Sequence, residues 1–278
     1  TTIGGVSFAS CTNLQSISFP KSLISIGYRA FSNCTALQII DLPDGTASIG
    51  DNAFYECSCL SSVTIPGSVT SIGVNAFGHC SGLTSVDISD GVTTIGDGAF
   101  YECSLLTSIT IPDSVTSIGD GAFSGCSSLE SITLPDNITS IGDYAFHGCS
   151  SLDSIIIPES VTVIDVYTFS ETLWLKNKRA ENPLIIVNSI LIDGQTCEGD
   201  VNIPDGVTII GDAAFSECSL LTNITLPDSI TGIGDSAFMG CDGLTSITLL
   251  DSVTSIGNSA FMGCDGLTSI TLPDSVTS

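Results

Sequence analysis

The chain repeats itself every 23 residues, and that period limits its folds more than any other feature. Phe stands at 8, 31, 54, 77, 100, 123, 146 and 169, then at 215, 238 and 261; each step is 23 except one of two periods. Leu keeps its own column from Leu14 to Leu267, an Ile-Gly pair recurs from Ile3-Gly4 to Ile256-Gly257, and Pro and Cys hold two more. Five columns in one frame cannot arise by chance. A fixed period of this length marks a solenoid, in which each unit is too small to bury its own apolar face and buries it against its neighbours.

One unit, residues 106–128, reads LTSITIPDSVTSIGDGAFSGCSS. Alternation around Ile109 and Ile111 predicts a short strand with both on the buried side, so Ser108 and Thr110 face out. Pro112 ends the strand, and Pro-Asp-Ser is turn chemistry. Val115 and Ile118 are expected to bring the chain back over the core. Gly119 suits a tight bend with positive φ, and Asp120 an N-cap on the turn that carries Ala122 and Phe123. Phe123 is expected to fill the space between coils.

The pattern LxxIxIPxxVxxIGxxAFxxCxx resembles the BspA-like, or Treponema pallidum-type, leucine-rich repeats, and the resemblance covers essentially the whole chain. It implies a right-handed leucine-rich repeat solenoid, here of about twelve 23-residue coils with short parallel strands. Residues 1–278 read as one solenoid domain: regular repeats over 1–169, a divergent repeat over 170–203, and regular repeats over 204–278. The chain starts and stops inside a repeat, which suggests a fragment of a longer protein. The resemblance also implies an extracellular or cell-surface location and a non-enzymatic role in adhesion, binding host, matrix or partner-cell proteins. The rival reading is a structural spacer that holds another domain away from the envelope.

The divergent block loses the Cys, Pro and Phe columns but keeps the frame. It carries the only Trp, Trp174, and three of the five basic residues, Lys176, Lys178 and Arg179. Leu184 to Ile192 reads as a hairpin turning at Asn188-Ser189. An aromatic anchor beside cations, on an acidic chain, is a candidate binding patch. The bland alternative is a splice between repeat blocks, with Trp174 plugging a gap. A binder should expose Trp174; a spacer should bury it and pair the charges locally. The second candidate is the outward strand face, where Ser108, Thr110, Ser131 and Thr133 belong to hydroxyl rows suited to protein or glycan contact. Its bland alternative is that Thr simply favours strands.

Charge removes other classes. Five basic residues against thirty acidic ones give a formal charge of −25. No sizeable basic patch can form, so nucleic acid is not an expected partner. No apolar run reaches bilayer length, so this segment is not expected to insert into a membrane, and a monomer is expected. Asp recurs after Pro and again after Ile-Gly. Stacked copies about 5 Å apart repel by roughly 0.8 kcal/mol in water. Loose calcium association along these rows is conceivable, but no calcium-binding loop is present and no cofactor is expected. Ten of the twelve Cys form one column, a register suited to small buried residues and not to disulfides. His79 and His147 lie too far apart for one metal or one catalytic pair, and no nucleophile elbow, phosphate loop or HExxH occurs. An enzyme is not expected.

Overall fold

The structure, a computed structural model, describes residues 1–277. Packing divides the chain into two compact units, Thr1–Val163 with Thr168–Lys176, and Ile164–Tyr167 with Asn177–Ser278. Each is built of coils that stack parallel strands, 23 residues apart in the regular repeats as the period requires and 19 apart where Ile190 pairs with Ile209.

In the first unit each coil from Ser62 onward contributes two strand segments, while the earlier coils place only isolated bridges, at Ser16 and Ile39, on one of the two lanes. The expected segment is present, Ser108–Thr110 in the coil quoted above, paired in parallel with Ser85–Ile88. Ile109 and Ile111 are buried, while Ser108 and Thr110 face out. A further lane runs through the Ser-Ile pair before each Ile-Gly glycine: Thr2–Ile3, Ser25–Ile26, Ser48–Ile49, Ser71–Ile72, Thr94–Ile95, Ser117–Ile118 and Ser140–Ile141, in that order. Sequence periodicity gave this segment no strand, because two residues are too few to show alternation.

Parallel pairing at a 23-residue offset places like on like. Phe31 to Phe146 are fully buried, and successive rings stack 5.3–5.6 Å apart, within 9° of parallel. Leu, Ile, Val and Ala columns fill the rest of the interior. The Cys column lies inside as expected except at its ends, where Cys11 is exposed and Cys264 half-buried, and all its thiols are free. In the first unit each buried thiol donates to the carbonyl of a Phe 26 residues earlier, as Cys103 does to Phe77 at 3.2 Å. Burial pushes these thiols upward, Cys57 and Cys149 to about 12.

Two local expectations are corrected. Gly119 does not take a positive φ. A Cβ there would lie 2.4 Å from Asp97 Oδ1 and 2.6 Å from the Asp97 nitrogen, so glycine is needed for the close approach of the preceding coil. The left-handed positions lie elsewhere, at Gly121 (φ 58°) and Gly125 (φ 74°), where other coils accept Tyr144 (φ 55°) and Glu102 (φ 57°). Asp120 does not cap its own turn. Its Oδ1 accepts the backbone N–H of Asp143 at 3.0 Å, and Asp97 serves Asp120 in the same way at 3.1 Å. These carboxylates tie one coil to the next.

The divergent block contains an element absent from the sequence reading, the helix Leu173–Glu181. The Thr172 hydroxyl accepts the Leu175 N–H at 3.1 Å, an N-cap, and Pro183 follows the last turn. Between them no Gly, Pro or β-branched residue interrupts the run. The hairpin is present: Ile185–Val187 pairs antiparallel with Ile190–Asp193. Asn188 (φ 47°) and Ser189 (φ 67°) both take left-handed values, which a two-residue turn between twisted strands requires. In the second unit Ile190–Asp193 then pairs in parallel with Ile209–Ile210, and the repeat lane resumes through Gly232–Ile233 and Ser255–Ile256. Phe215, Phe238 and Phe261 restart the ring stack at 5.2 and 5.3 Å.

Candidate binding surface

The two candidate regions come out differently. Trp174 is only 9% exposed. Its ring lies 4.9 Å from that of Phe169, tilted by 56°, and its backbone N–H donates to the Leu152 carbonyl at 2.6 Å. It closes the Phe stack of the first unit and presents no anchor to a partner. Of the two readings weighed for it, the burial fits the plug in a gap and not the exposed binding patch: the helix turns the indole inward because that is where the apolar ring loses most contact with water.

The cations beside it have separate tasks. Arg179 Nε donates to Asp193 Oδ2 at 2.7 Å, and Arg179 Nη2 to Gln195 Oε1 at 2.9 Å. Asp193 is buried at the end of the hairpin and also accepts the Gln195 N–H at 2.9 Å. Burial raises its carboxyl above the usual range, while the Gln195 and Arg179 contacts pull it back. This network fastens the helix to the hairpin within the second unit. Lys178 pairs with Glu181 three residues on at 3.0 Å, both exposed, an arrangement worth little. Lys176 is exposed.

The strand face of the first unit gathers the remaining candidates. Ser108, Thr110, Ser131 and Thr133 are all exposed, on adjacent coils. Together with Asp113 and Pro135 they line one open depression of about 350 Å³. Hydroxyls just before the strands behave otherwise: Thr84 and Thr107 each donate to a carbonyl of the preceding coil, at 3.0 and 3.3 Å. The four outward hydroxyls have no such partner among the described residues. A second depression of about 610 Å³ lies at the in-frame position nearer the N-terminus, between Phe19, Lys21, Asp41, Pro43 and Asp44.

Other chemistry stays dispersed. His79 sits edge-on between Tyr55 and Tyr101, at 5.2 and 5.0 Å, and His147 lies 5.6 Å from Tyr144. Among the described residues no group of three or more His, Cys, Asp or Glu is arranged to hold a metal ion, and no helix is long and apolar enough to cross a membrane.

Comparison with known proteins bears on this architecture. The family profile described as BspA type leucine rich repeat region (6 copies) matches residues 1–107, 70–191 and 194–278. The crystal structure of a leucine-rich repeat protein from Bacteroides ovatus ATCC 8483 shares 30% identity over 99% of this chain and 77% of its own, with a TM-score of 0.62. A leucine rich cell surface protein from Faecalibacterium prausnitzii A2-165 shares 29% identity over 95% and 83%, with a looser TM-score of 0.42. The T. pallidum leucine rich repeat protein shares 27% over 74% and 82%, with a TM-score of 0.37. No curated protein matches significantly. The profile spans nearly the whole chain, and the chain belongs to the BspA-type leucine-rich repeat family.

Proposed function

We propose that the chain is a non-enzymatic binding module of an extracellular or cell-surface protein, taking protein or glycan partners on the outward strand face of its first unit. One observation carries this reading: the hydroxyls of Ser108, Thr110, Ser131 and Thr133 are exposed and unpartnered, while hydroxyls one position earlier are spent on inter-coil hydrogen bonds. A grid of neutral donors and acceptors on a rigid support makes many weak contacts, which repetition strengthens. The surface location and the adhesive role follow from the family resemblance.

Surface plasmon resonance of the chain against a panel of extracellular matrix proteins and mucin glycans tests it. Thr110→Arg/Thr133→Arg fills the depression without touching the core. Saturable binding to a panel member, weakened tenfold or more by the double variant, is expected. The buried Trp174 favours the second reading, a structural spacer; binding that is absent, or indifferent to the double variant, would select it.

A further inference from the structure

The outward face of the first unit has a charge pattern that the hydroxyl grid alone does not explain. The position after each strand-ending residue carries Asp90, Asp113, Asp136 and Glu159 on four successive coils, all exposed. Asp87 stands within the face itself, on the strand position that Thr110 occupies one coil later. None of the five carboxylates has an ion-pair partner among the described residues. Between Arg29 and Lys176 the chain contains no Lys or Arg at all, so nothing on these coils can neutralise them. Turn geometry does not demand the charge: Asn, Ser and Gly serve such turns as well as Asp, and Gly67 holds the same position one coil before Asp90. Like charges stacked at coil spacing repel, so neutral residues would be the more stable choice. The row borders the depression formed by Ser108, Thr110, Ser131 and Thr133, to which Asp113 already belongs.

We propose that this face docks a basic extended peptide segment of a partner protein, with its Lys or Arg side chains on the acidic row and its backbone over the hydroxyls. The inference rests on the binding-module reading and gives that module a partner class. Four carboxylates at strand spacing span about 14 Å, the reach of roughly four extended residues. Ser and Thr hydroxyls can both donate to and accept from a peptide backbone. Carboxylates on a rigid coil are held in place before binding, so little ordering is needed when the cations arrive.

The test is fluorescence anisotropy at 0.15 M NaCl with a labelled twelve-residue Lys-Ser repeat peptide, and a Glu-Ser repeat as control. The chain is compared with Asp90→Asn/Asp113→Asn/Asp136→Asn and with Glu56→Gln/Glu102→Gln/Glu171→Gln, which removes equal charge from the turns after the Phe column. Circular dichroism checks the fold of each. The expected result is saturable binding of the Lys-Ser peptide only, at least tenfold weaker in the Asp triple and changed less than twofold in the Glu triple. Equal weakening in both triples would mean diffuse attraction to an acidic protein and would overturn the inference, as would no saturable binding. The two proposals fail separately. If a matrix protein or a glycan loses binding in Thr110→Arg/Thr133→Arg but not in the Asp triple, the face is a binding site and the basic-peptide inference falls.

Discussion

At the residue scale, the columns set strict local rules, and departures from them identify the positions where substitution has a clear sign. Thr46 sits in a column otherwise held by Leu23, Val69, Val92, Val115 and Ile138, fully buried, with its Oγ1 lacking any hydrogen-bond partner. An unpaired buried hydroxyl costs about 1–3 kcal/mol. Thr46→Val keeps the shape and should stabilise the fold by about 1–2 kcal/mol, read as a higher urea midpoint at unchanged m-value. Gly119 departs the other way, because no side chain fits. Gly119→Ala drives a methyl group onto Asp97 backbone and should destabilise by about 3 kcal/mol, the upper part of the overpacking range. The same denaturation series reads both. That Gly119 is invariably small was legible from the Ile-Gly column. The reason was not, because a positive φ and a neighbouring backbone leave the same mark on a sequence.

At the element scale, the repeated thiol column and the divergent helix behave as units. Nine Cys are buried, Cys264 is intermediate, and Cys11 and Cys59 are exposed. A disulfide-exchange reagent at pH 8 should therefore label two thiols rapidly and the buried nine only on unfolding. The column also sets a pH limit. For the buried thiols of the first unit the folded-state values lie above the ordinary 9.0, at about 12 for Cys57 and Cys149, so these thiols bind protons more tightly folded than unfolded. The stability this contributes is fully present below pH 9 and is lost as pH rises towards 12. Thermal melts between pH 8 and 11 should fall steeply, and less so in Cys103→Ala. In the divergent block, the helix buries Trp174, the sole Trp, against Phe169. Its emission should be blue-shifted and resist acrylamide; a red-shifted, readily quenched signal would restore the exposed anchor. The hairpin could be read from alternation and Asn188-Ser189. The helix was hidden because the surviving 23-residue frame argued for another coil, although Thr172, an uninterrupted run of helix formers and Pro183 together marked its ends.

At the scale of the whole molecule, charge is the dominant global term. A formal charge of −25 acts against compactness, so added sodium chloride should raise the melting temperature by screening. Calcium gives a sharper comparison. We expect millimolar calcium to raise the melting temperature more than sodium chloride of equal ionic strength; equal shifts would show screening alone and remove the idea of calcium on the Asp rows. The Asp row after Ile-Gly already has a structural task, since its Oδ1 atoms receive N–H groups of the next coil.

The sequence by itself determined the coil, its core columns, the buried cysteines and the outward hydroxyls, because in a solenoid each coil repeats the environment of the last and one period of pattern specifies all of them. Tertiary structure alone decided the rest. Which glycines are forced by a neighbouring backbone and which carboxylates bridge coils depend on residues about one period away in the chain, and the inward face of the divergent helix depends on where the Phe stack ends. Such contacts leave no local pattern. Trp174 shows the consequence: an aromatic beside three cations has the composition of a binding patch, yet the ring is buried because the end of the Phe stack offers it a larger apolar surface than water does.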